Sequence, residues 1–286
     1  MLYSVKNNRI EISADTAGAE LHSIKSNGLE YLWQCGDSWK RYAPVLFPFI
    51  CSPKDRKYSA KGKEYTMPGN HGFARDSEFQ LYEQTEDSVA FILKSSSETL
   101  KVYPYDFEFI VKYTLQDNKV IVSNIVKNTG SDDMYFYVGG HPAFNCPLED
   151  GLNFDDYYVE YEKNETILQP LPEGKSRVII DKANKYNLTR ELFDFDVIMK
   201  DKPVSKTVSL KSDKSSHSVT VEFPESECIA VWSPTGDDNA KFVCLEPWTT
   251  VPTYADDDDF ALENKKHAIK LNAGKEYTYT YSIRID

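Results

Sequence analysis

Apolar and polar positions alternate along much of this chain with a period of two. From Phe107 to Leu115 every second side chain is apolar, as in a strand that rests one face on a core. The polar residues 116–118 follow, and an apolar run begins again at Val120, which together predict a β-hairpin. Tyr277–Ile283 repeats the alternation near the C-terminus, so strands are the dominant predicted element.

Further strands are predicted on both sides of every possible domain boundary. They are Arg9–Ala14, Ser88–Leu93, Tyr157–Tyr161, Thr207–Lys211, Ser218–Phe223, Cys228–Trp232 and Lys241–Leu245. Short helices or turns are predicted only at Arg190–Phe195 and Asp256–Lys266. No Gly/Ser-rich or Pro-rich linker divides these strands. We therefore expect residues 1–286 to form a single all-β domain, a large β-sandwich of two packed antiparallel sheets with few short helices.

Composition and charge narrow the possible partners. The chain has 33 Lys and Arg against 45 Asp and Glu, a net charge of −12, which argues against nucleic acid or an anionic membrane as partner. The apolar runs are far shorter than the ~20 residues of a membrane helix. The chain opens without the basic and apolar regions of a secretion signal, so we expect a cytoplasmic protein.

The cysteines and one acidic run suggest ordinary structural roles. Five scattered cysteines without a C-x-x-C pair argue against a disulfide framework and a structural zinc site. Burial among apolar residues is the more frequent role of a cysteine, and we expect it for Cys51 over a position at a pocket. The run Asp256–Asp259 lacks the glycine and spaced ligands of a calcium loop, which favours a solvated loop or a helix start.

Three segments carry ionisable groups among rigid or aromatic neighbours: Gly69–Asp76, Gly139–Asn145 and Val243–Thr250. They contribute His71, His141 and Glu246, respectively. A histidine and a carboxylate are the pair that general acid–base chemistry near neutral pH requires. Burial of Glu246 beside a tryptophan would increase its basicity.

Each of these residues also has a purely structural interpretation. His71 precedes a glycine and fits a loop with an unusual backbone angle, whereas His141 precedes a proline and fits an extended strand end. Glu246 precedes a proline as well and fits the end of a strand. The two histidines and the glutamate are enough for a His₂Glu zinc site, but no H-E-x-x-H pair supports one. A serine nucleophile elbow and a phosphate-binding glycine loop are absent from the sequence.

Aromatic residues near these segments suggest a sugar as ligand. Apolar ring platforms suit the faces of a sugar, whose hydroxyls then meet the polar groups. The candidate platforms are Phe73, Phe144, Trp232 and Trp248.

The three segments, in this order and spacing, resemble the aldose 1-epimerase (galactose mutarotase-like) family, and within it the LacX-like and hexose-6-phosphate mutarotase-like branches. The motifs that carry the resemblance are Ala43–Phe49, Lys61–Tyr65, His71–Arg75, His141–Phe144 and Leu245–Trp248, which span nearly the whole chain. The resemblance implies a large twisted β-sandwich. It also implies interconversion of the α and β anomers of an aldose by ring opening and reclosure, without a metal or an organic cofactor.

Residue roles follow from the resemblance position by position. Glu246 resembles the family's general base and His141 its general acid, whereas His71 is similar to the histidine that binds the sugar. A family aspartate that binds sugar hydroxyls corresponds to Asp194 or Asp196, with a slight preference for Asp196; either also fits the cap of a helical turn.

One departure concerns an arginine that follows the Phe-Pro segment in many mutarotases. This chain has Cys51 and Ser52 at that place. Arg75 is the candidate to replace the missing contact, with Lys54 and Arg56 as weaker ones, and Asn70 next to His71 is a further candidate for substrate binding. Arg75 is equally suited to a structural ion pair with Asp76.

Several functions remain open from the sequence. The leading hypothesis is a hexose mutarotase; the alternatives are a mutarotase for a hexose 6-phosphate and a non-catalytic carbohydrate-binding sandwich. A glycoside hydrolase would need two carboxylates across a cleft, and the sequence offers only one that is well placed. The partner expected in each case is a small-molecule sugar, and the sequence does not distinguish a monomer from a homodimer.

Overall fold

The computed structural model describes residues 1–256 and 260–286. The expectation for the acidic run Asp256–Asp259 falls on residues 257–259, which lie outside the described residues. Regular structure in the described ranges is β-strand and short 3₁₀ turns. The strands are β1 Leu2–Lys6, β2 Glu11–Asp15, β3 Leu21–Ser26, β4 Leu29–Glu30, β5 Val45–Leu46, β6 Lys57–Ala60, β7 Lys63–Thr66, β8 Gln80–Gln84, β9 Ser88–Lys94, β10 Phe107–Gln116, β11 Lys119–Asn128, β12 Met134–Phe136, β13 Gly139–Gly140, β14 Ala143–Asn145, β15 Tyr157–Pro170, β16 Ser176–Asn187, β17 Ile198–Asp201, β18 Thr207–Ser212, β19 Val219–Glu222, β20 Cys228–Trp232, β21 Phe242–Trp248, β22 Ile269–Leu271 and β23 Glu276–Ile285.

The 3₁₀ turns connect these strands. They are Lys54–Arg56, Ala74–Asp76, Thr99–Lys101, Phe154–Asp156, Pro172–Gly174, Arg190–Phe193, Thr253–Asp256 and Leu262–Asn264. Two of them, Arg190–Phe193 and Leu262–Asn264, lie within the two regions for which the sequence predicts short helices or turns. None of the helices in the described ranges is long and apolar enough to cross a membrane.

Two large antiparallel sheets form the sandwich. The larger has nine strands in the order β16-β15-β18-β19-β23-β11-β10-β9-β8, and the smaller has the order β17-β20-β21-β13-β5, with β14 also paired to β21. A separate sheet of β1 to β4 and two short ribbons complete the structure. The predicted all-β sandwich is therefore confirmed.

The predicted hairpin lies in the interior of the large sheet, between β23 and β9. β10 pairs with β11 in unbroken register from Phe107 opposite Asn128 to Gln116 opposite Lys119. The alternate apolar side chains of β10 point into the core, where Phe109 stacks on Phe47 with ring centroids 4.5 Å apart. One face of this strand thus covers the sandwich interior, as the period of two predicts.

One long hairpin was not predicted at its full length. β15 continues nine residues beyond the predicted Tyr157–Tyr161 and pairs with β16, for which no strand was predicted. The register between them shifts between Glu160 and Glu165 and again up to Leu168. The buried odd-numbered positions of β15 include Glu165 and Gln169, whereas Leu168 and Val178 are exposed, so apolar residues do not alternate in the sequence.

Candidate active site

A cavity of about 250 Å³ opens at the small sheet, where the three chemically promising segments meet. Its lining residues are Trp39, Cys51, Asn70, His71, Arg75, His141, Asp196, Val197, Trp232, Glu246 and Trp248. This volume is slightly below the ~300–1,000 Å³ of sites for drug-sized ligands, so it suits a ligand of monosaccharide size.

Adjacent strands of the small sheet bring the acid–base candidates together. Glu246 lies on β21, directly opposite Ala230 of β20. His141 follows β13, whose Gly139 pairs with Trp248 of β21. The side chains of Glu246 and His141 meet on the cavity floor, where His141 Nε2 lies 3.2 Å from Glu246 Oε2.

The glycine pair before His141 is required by close packing. A Cβ on Gly139 would lie 2.8 Å from the Trp248 side chain, and one on Gly140 would lie 2.4 Å from the Tyr281 hydroxyl. Such distances are well inside van der Waals contact. Gly139 therefore lets β13 approach β21 closely beside His141, and Gly140 lets the same strand pack against Tyr281 of β23.

Burial sets the charge state of this pair. Both side chains are almost inaccessible to water. Desolvation, with some repulsion from the Asp196 carboxylate, raises the pKa of Glu246 well above its usual value. Desolvation, with some repulsion from the Arg75 charge, lowers the pKa of His141 to about 3. Burial therefore favours the uncharged forms of both groups, a protonated Glu246 carboxyl and a neutral His141 imidazole.

His71 is held rigidly by the backbone of Cys51. The Cys51 N–H donates to His71 Nδ1 at 3.0 Å, and the His71 N–H donates to the Cys51 carbonyl at 2.8 Å. Because Nδ1 accepts, Nε2 must carry the ring proton of neutral His71. Burial lowers the pKa of His71 well below its usual value, so its ring is a fixed neutral donor. This ring stands edge-on to that of His141, with centroids 5.3 Å apart.

Asp196 lies on the rim of the cavity, in a turn that contacts the side chain of Gln169. Its φ of +65° is in the left-handed region that aspartate tolerates better than most residues. The buried Gln169 side-chain nitrogen lies within hydrogen-bonding distance of the carbonyls of residues 195–197, at 3.0 to 3.3 Å. Trp232 Nε1 donates to Asp196 Oδ1 at 2.8 Å. Asp194 is exposed just after the Arg190–Phe193 turn and is not part of the lining.

Arg75 lines the cavity, and the neighbouring Asp76 binds Arg41 more closely than it binds Arg75. Asp76 accepts from Arg41 at 2.6 Å, whereas Arg75 Nε is 3.9 Å from the other Asp76 oxygen. Arg75 Nε is buried and has no hydrogen-bond partner in the protein. Lys54 and Arg56, the weaker candidates, are not in the lining.

Two of the predicted aromatic platforms lie elsewhere. Phe144 and Phe73 are buried in the main core and do not line the cavity, so that expectation was wrong for both. On β14 the side chains alternate between faces: Ala143 lies in the small cluster below the cavity, which puts Phe144 on the opposite face. Trp232 and Trp248 line the cavity, as does Cys51, for which burial away from a pocket was expected.

Trp39 is a lining residue that sequence reasoning missed. Its indole stacks on the His141 ring with centroids 5.0 Å apart and planes at 26°, and it meets Trp232 edge-on at 5.6 Å. The signal in the sequence was a tryptophan within the polar stretch Gly36–Arg41, which shows no alternation of a strand and so gives no structural reason for a large apolar ring. Three of the four tryptophans of the chain therefore surround one cavity.

Unpartnered polar atoms are concentrated at this cavity. Of the nine such buried side-chain atoms in the described residues, four belong to lining residues, namely Arg75 Nε, His141 Nδ1, Glu246 Oε2 and Trp248 Nε1. Buried polar groups are usually hydrogen-bonded, and a ligand or a catalytic role is one of the explanations for an exception. Donors and acceptors gathered in this way fit a ligand rich in hydroxyl groups.

A larger groove of about 710 Å³ lies beside the Phe154–Asp156 and Arg190–Phe193 turns. Arg190 there stacks on the Phe154 ring at 3.5 Å and donates to Ser233 Oγ at 3.0 Å. None of the unpartnered buried atoms of the described residues belongs to its lining. The smaller cavity is therefore the better candidate for an active site.

Comparisons with known proteins identify the family of this chain. The sequence model of the aldose 1-epimerase family matches residues 1–284. The chain belongs to this family. The plasmid-encoded protein LacX of Lactococcus lactis subsp. lactis is 32% identical, over 100% of this chain and 99% of LacX.

Solved structures of this family have the same fold. A galactose mutarotase related enzyme from Lactobacillus acidophilus superimposes with a TM-score of 0.91 at 34% identity, covering 100% of this chain and 97% of that one. A galactose mutarotase-like protein from Lactobacillus casei superimposes with a TM-score of 0.89 at 29% identity, covering 100% of both chains. The resemblance inferred from the motifs is thus confirmed, and the sandwich is of the galactose mutarotase type.

Proposed function

We propose that this protein is an aldose 1-epimerase that interconverts the α and β anomers of a hexose, and that residues 1–286 act as one domain. The observation that carries the proposal is the 3.2 Å approach of His141 Nε2 to Glu246 Oε2 on the floor of a monosaccharide-sized cavity. Membership of the aldose 1-epimerase family supports it.

The reaction needs only proton transfers that this pair can supply. The neutral pair becomes reactive once the carboxyl proton of Glu246 has moved to His141, which leaves a carboxylate as base and an imidazolium as acid. Glu246 then takes the proton of the anomeric hydroxyl, the C1–O5 bond breaks as the C1 carbonyl forms, and His141 protonates the ring oxygen. After rotation about C1–C2, the same transfers in reverse close the ring on the other carbonyl face.

The remaining lining residues bind the substrate in this scheme. The His71 Nε2–H points from a fixed ring and donates to a sugar oxygen near His141. Asp196 accepts from sugar hydroxyls at the rim, while Trp39 and Trp232 offer apolar ring faces. Each positioned proton transfer contributes roughly 10²–10⁴-fold to the rate.

Polarimetry of freshly dissolved α-D-glucose and α-D-galactose tests the proposal. We expect the protein to accelerate the change in rotation, and Glu246→Gln and His141→Asn each to lower kcat by at least ~10²-fold. His217→Asn is the matched control, because His217 pairs with Glu149 at 3.0 Å outside the cavity lining. Absence of acceleration with any common aldose or aldose 6-phosphate would refute the proposal. Sugar binding without acceleration would indicate the non-catalytic alternative.

A hexose 6-phosphate is the second candidate substrate, favoured by Arg75. Its buried, unpartnered Nε provides a cation donor for an anionic group at the cavity. The same assay with glucose 6-phosphate distinguishes the two: a kcat/KM for the phosphate well above that for glucose, lost in Arg75→Gln, would assign the phosphorylated sugar. Release of phenol from an aryl glycoside would instead indicate hydrolysis.

A further inference from the structure

Cys244 is a buried thiol that the proton-transfer scheme does not use. It lies on β21 two residues before Glu246, so both side chains project from the same face of the strand. Its register partner is Ala143, two residues after His141. One ligand atom each from Cys244, His141 and Glu246 lies within 4.8 Å of the others, and all three residues are buried.

This donor set is typical of a zinc-like cation. Zinc binds thiolate at about 2.3 Å and imidazole nitrogen or carboxylate oxygen at about 2.0–2.2 Å, which places tetrahedral donors roughly 3.5 Å apart. The donors lie within 4.8 Å of one another and therefore have to close by at most about 1.3 Å, a movement within reach of side-chain torsions. Magnesium and calcium prefer all-oxygen sites and do not match a sulfur–nitrogen–oxygen set.

Two further observations favour a ligand at this place. His141 Nδ1 and Glu246 Oε2 are buried without a hydrogen-bond partner, so polar atoms of two of the three residues remain unsatisfied within the protein. Both residues also line the cavity, which gives a cation a route from solvent and leaves its fourth position for water.

We propose that His141, Cys244 and Glu246 bind one zinc-like divalent cation at the floor of the cavity, and that the bound cation inhibits anomer exchange. Binding releases the Cys244 thiol proton and the Glu246 carboxyl proton to solvent. Neutral imidazole, thiolate and carboxylate then balance the two positive charges, as a buried site requires. The inhibition rests on the proposed function, because the cation engages the acid and the base at once; the binding does not.

Cobalt binding tests the site independently of activity. Metal-free, untagged protein is titrated with Co²⁺, and the sulfur-to-cobalt charge-transfer absorption is recorded. We expect a band that saturates at one equivalent, is displaced by Zn²⁺ and is not affected by a tenfold excess of Mg²⁺. Cys244→Ser and Cys244→Ala should lose the band. Cys228→Ala should keep it, because Cys228 is equally buried but lies on β20 outside the cluster.

Inhibition is measured on the same proteins by polarimetry. We expect Zn²⁺ to slow anomer exchange by the unsubstituted protein and by Cys228→Ala, and the half-inhibiting concentration to rise at least tenfold in Cys244→Ser. Absence of a charge-transfer band in the unsubstituted protein, or equal zinc sensitivity in Cys244→Ser, would overturn the proposal. A saturating band in a protein that accelerates no aldose would sustain the site and refute the proposed function instead.

Discussion

Gly72 is a position where one added methyl group should disturb the active site through the backbone. The residue has a φ of +77°, and a Cβ there would lie 2.2 Å from the Phe47 carbonyl oxygen. That oxygen accepts hydrogen bonds from the N–H groups of Phe73 and Ala74, both at 3.2 Å. Gly72→Ala therefore forces apart two segments that meet beside His71.

The expected loss follows from these contacts. A non-glycine residue in the left-handed region costs about 1–2 kcal/mol. Weakening the two hydrogen bonds to the Phe47 carbonyl costs about 1 kcal/mol each. We therefore expect Gly72→Ala to lower the free energy of unfolding by about 3–4 kcal/mol.

Gly28 provides the matched control for this substitution. Its φ is +85°, but a Cβ there would meet nothing within 4 Å. Gly28→Ala thus carries only the backbone cost of about 1–2 kcal/mol. The difference between the two variants isolates the close approach at Gly72.

Equilibrium unfolding in guanidinium chloride, followed by tryptophan fluorescence, measures both variants. The linear extrapolation gives the free energy of unfolding for each protein. Equal losses in the two variants, within about 0.5 kcal/mol, would refute the steric reasoning. Gly72→Ala should also lose anomer exchange at temperatures where it remains folded, since His71 precedes it directly, whereas Gly28→Ala should not.

Three further predictions concern the cavity. His71 is neutral when buried but takes up a proton in the unfolded chain below pH 6.5, so acid favours unfolding. Between pH 7.5 and 5.5 the free energy of unfolding should therefore fall by about 1.4 kcal/mol more in the unsubstituted protein than in His71→Asn, as measured by urea unfolding; equal losses would contradict this. Trp39→Leu should lower kcat about 3- to 30-fold and Trp39→Phe much less, because the stacked ring stabilises protonated His141; equal kcat values would contradict this. Gln169→Leu should raise the sugar KM about fivefold with little change in kcat, by loosening the turn that carries Asp196; an unchanged KM would contradict it.

The strand content of this protein was predictable because it depends on a local pattern. The alternation from Phe107 to Leu115 specifies which side chains face a core, wherever that core lies. β20 was predicted with its observed bounds, Cys228–Trp232. The β15–β16 hairpin escaped prediction because two buried positions of β15 hold Glu165 and Gln169 while Leu168 is exposed, so the apolar alternation on which the inference depends is missing.

The candidate residues were predictable by type and setting, but not their arrangement. Sequence alone pointed to His71, His141 and Glu246 as histidines and a carboxylate in aromatic or glycine-rich strand ends. It gave only a slight preference for Asp196 over Asp194, since the two aspartates lie two residues apart. Only Asp196 lines the cavity, and which of the two does so depends on a backbone angle and on distant Gln169.

The sequence by itself determined an all-β chain, the segments able to carry acid–base chemistry, and membership of a family. The tertiary structure alone decided that β13 lies against β21, which joins His141 to Glu246 across 105 intervening steps of the chain. The tertiary structure also stacks Trp39 on His141 and directs the Phe144 side chain towards the core. The physical reason is that the alternation of apolar and polar residues indicates which face of a strand is buried, whereas the packing of the whole sandwich determines which strands are neighbours.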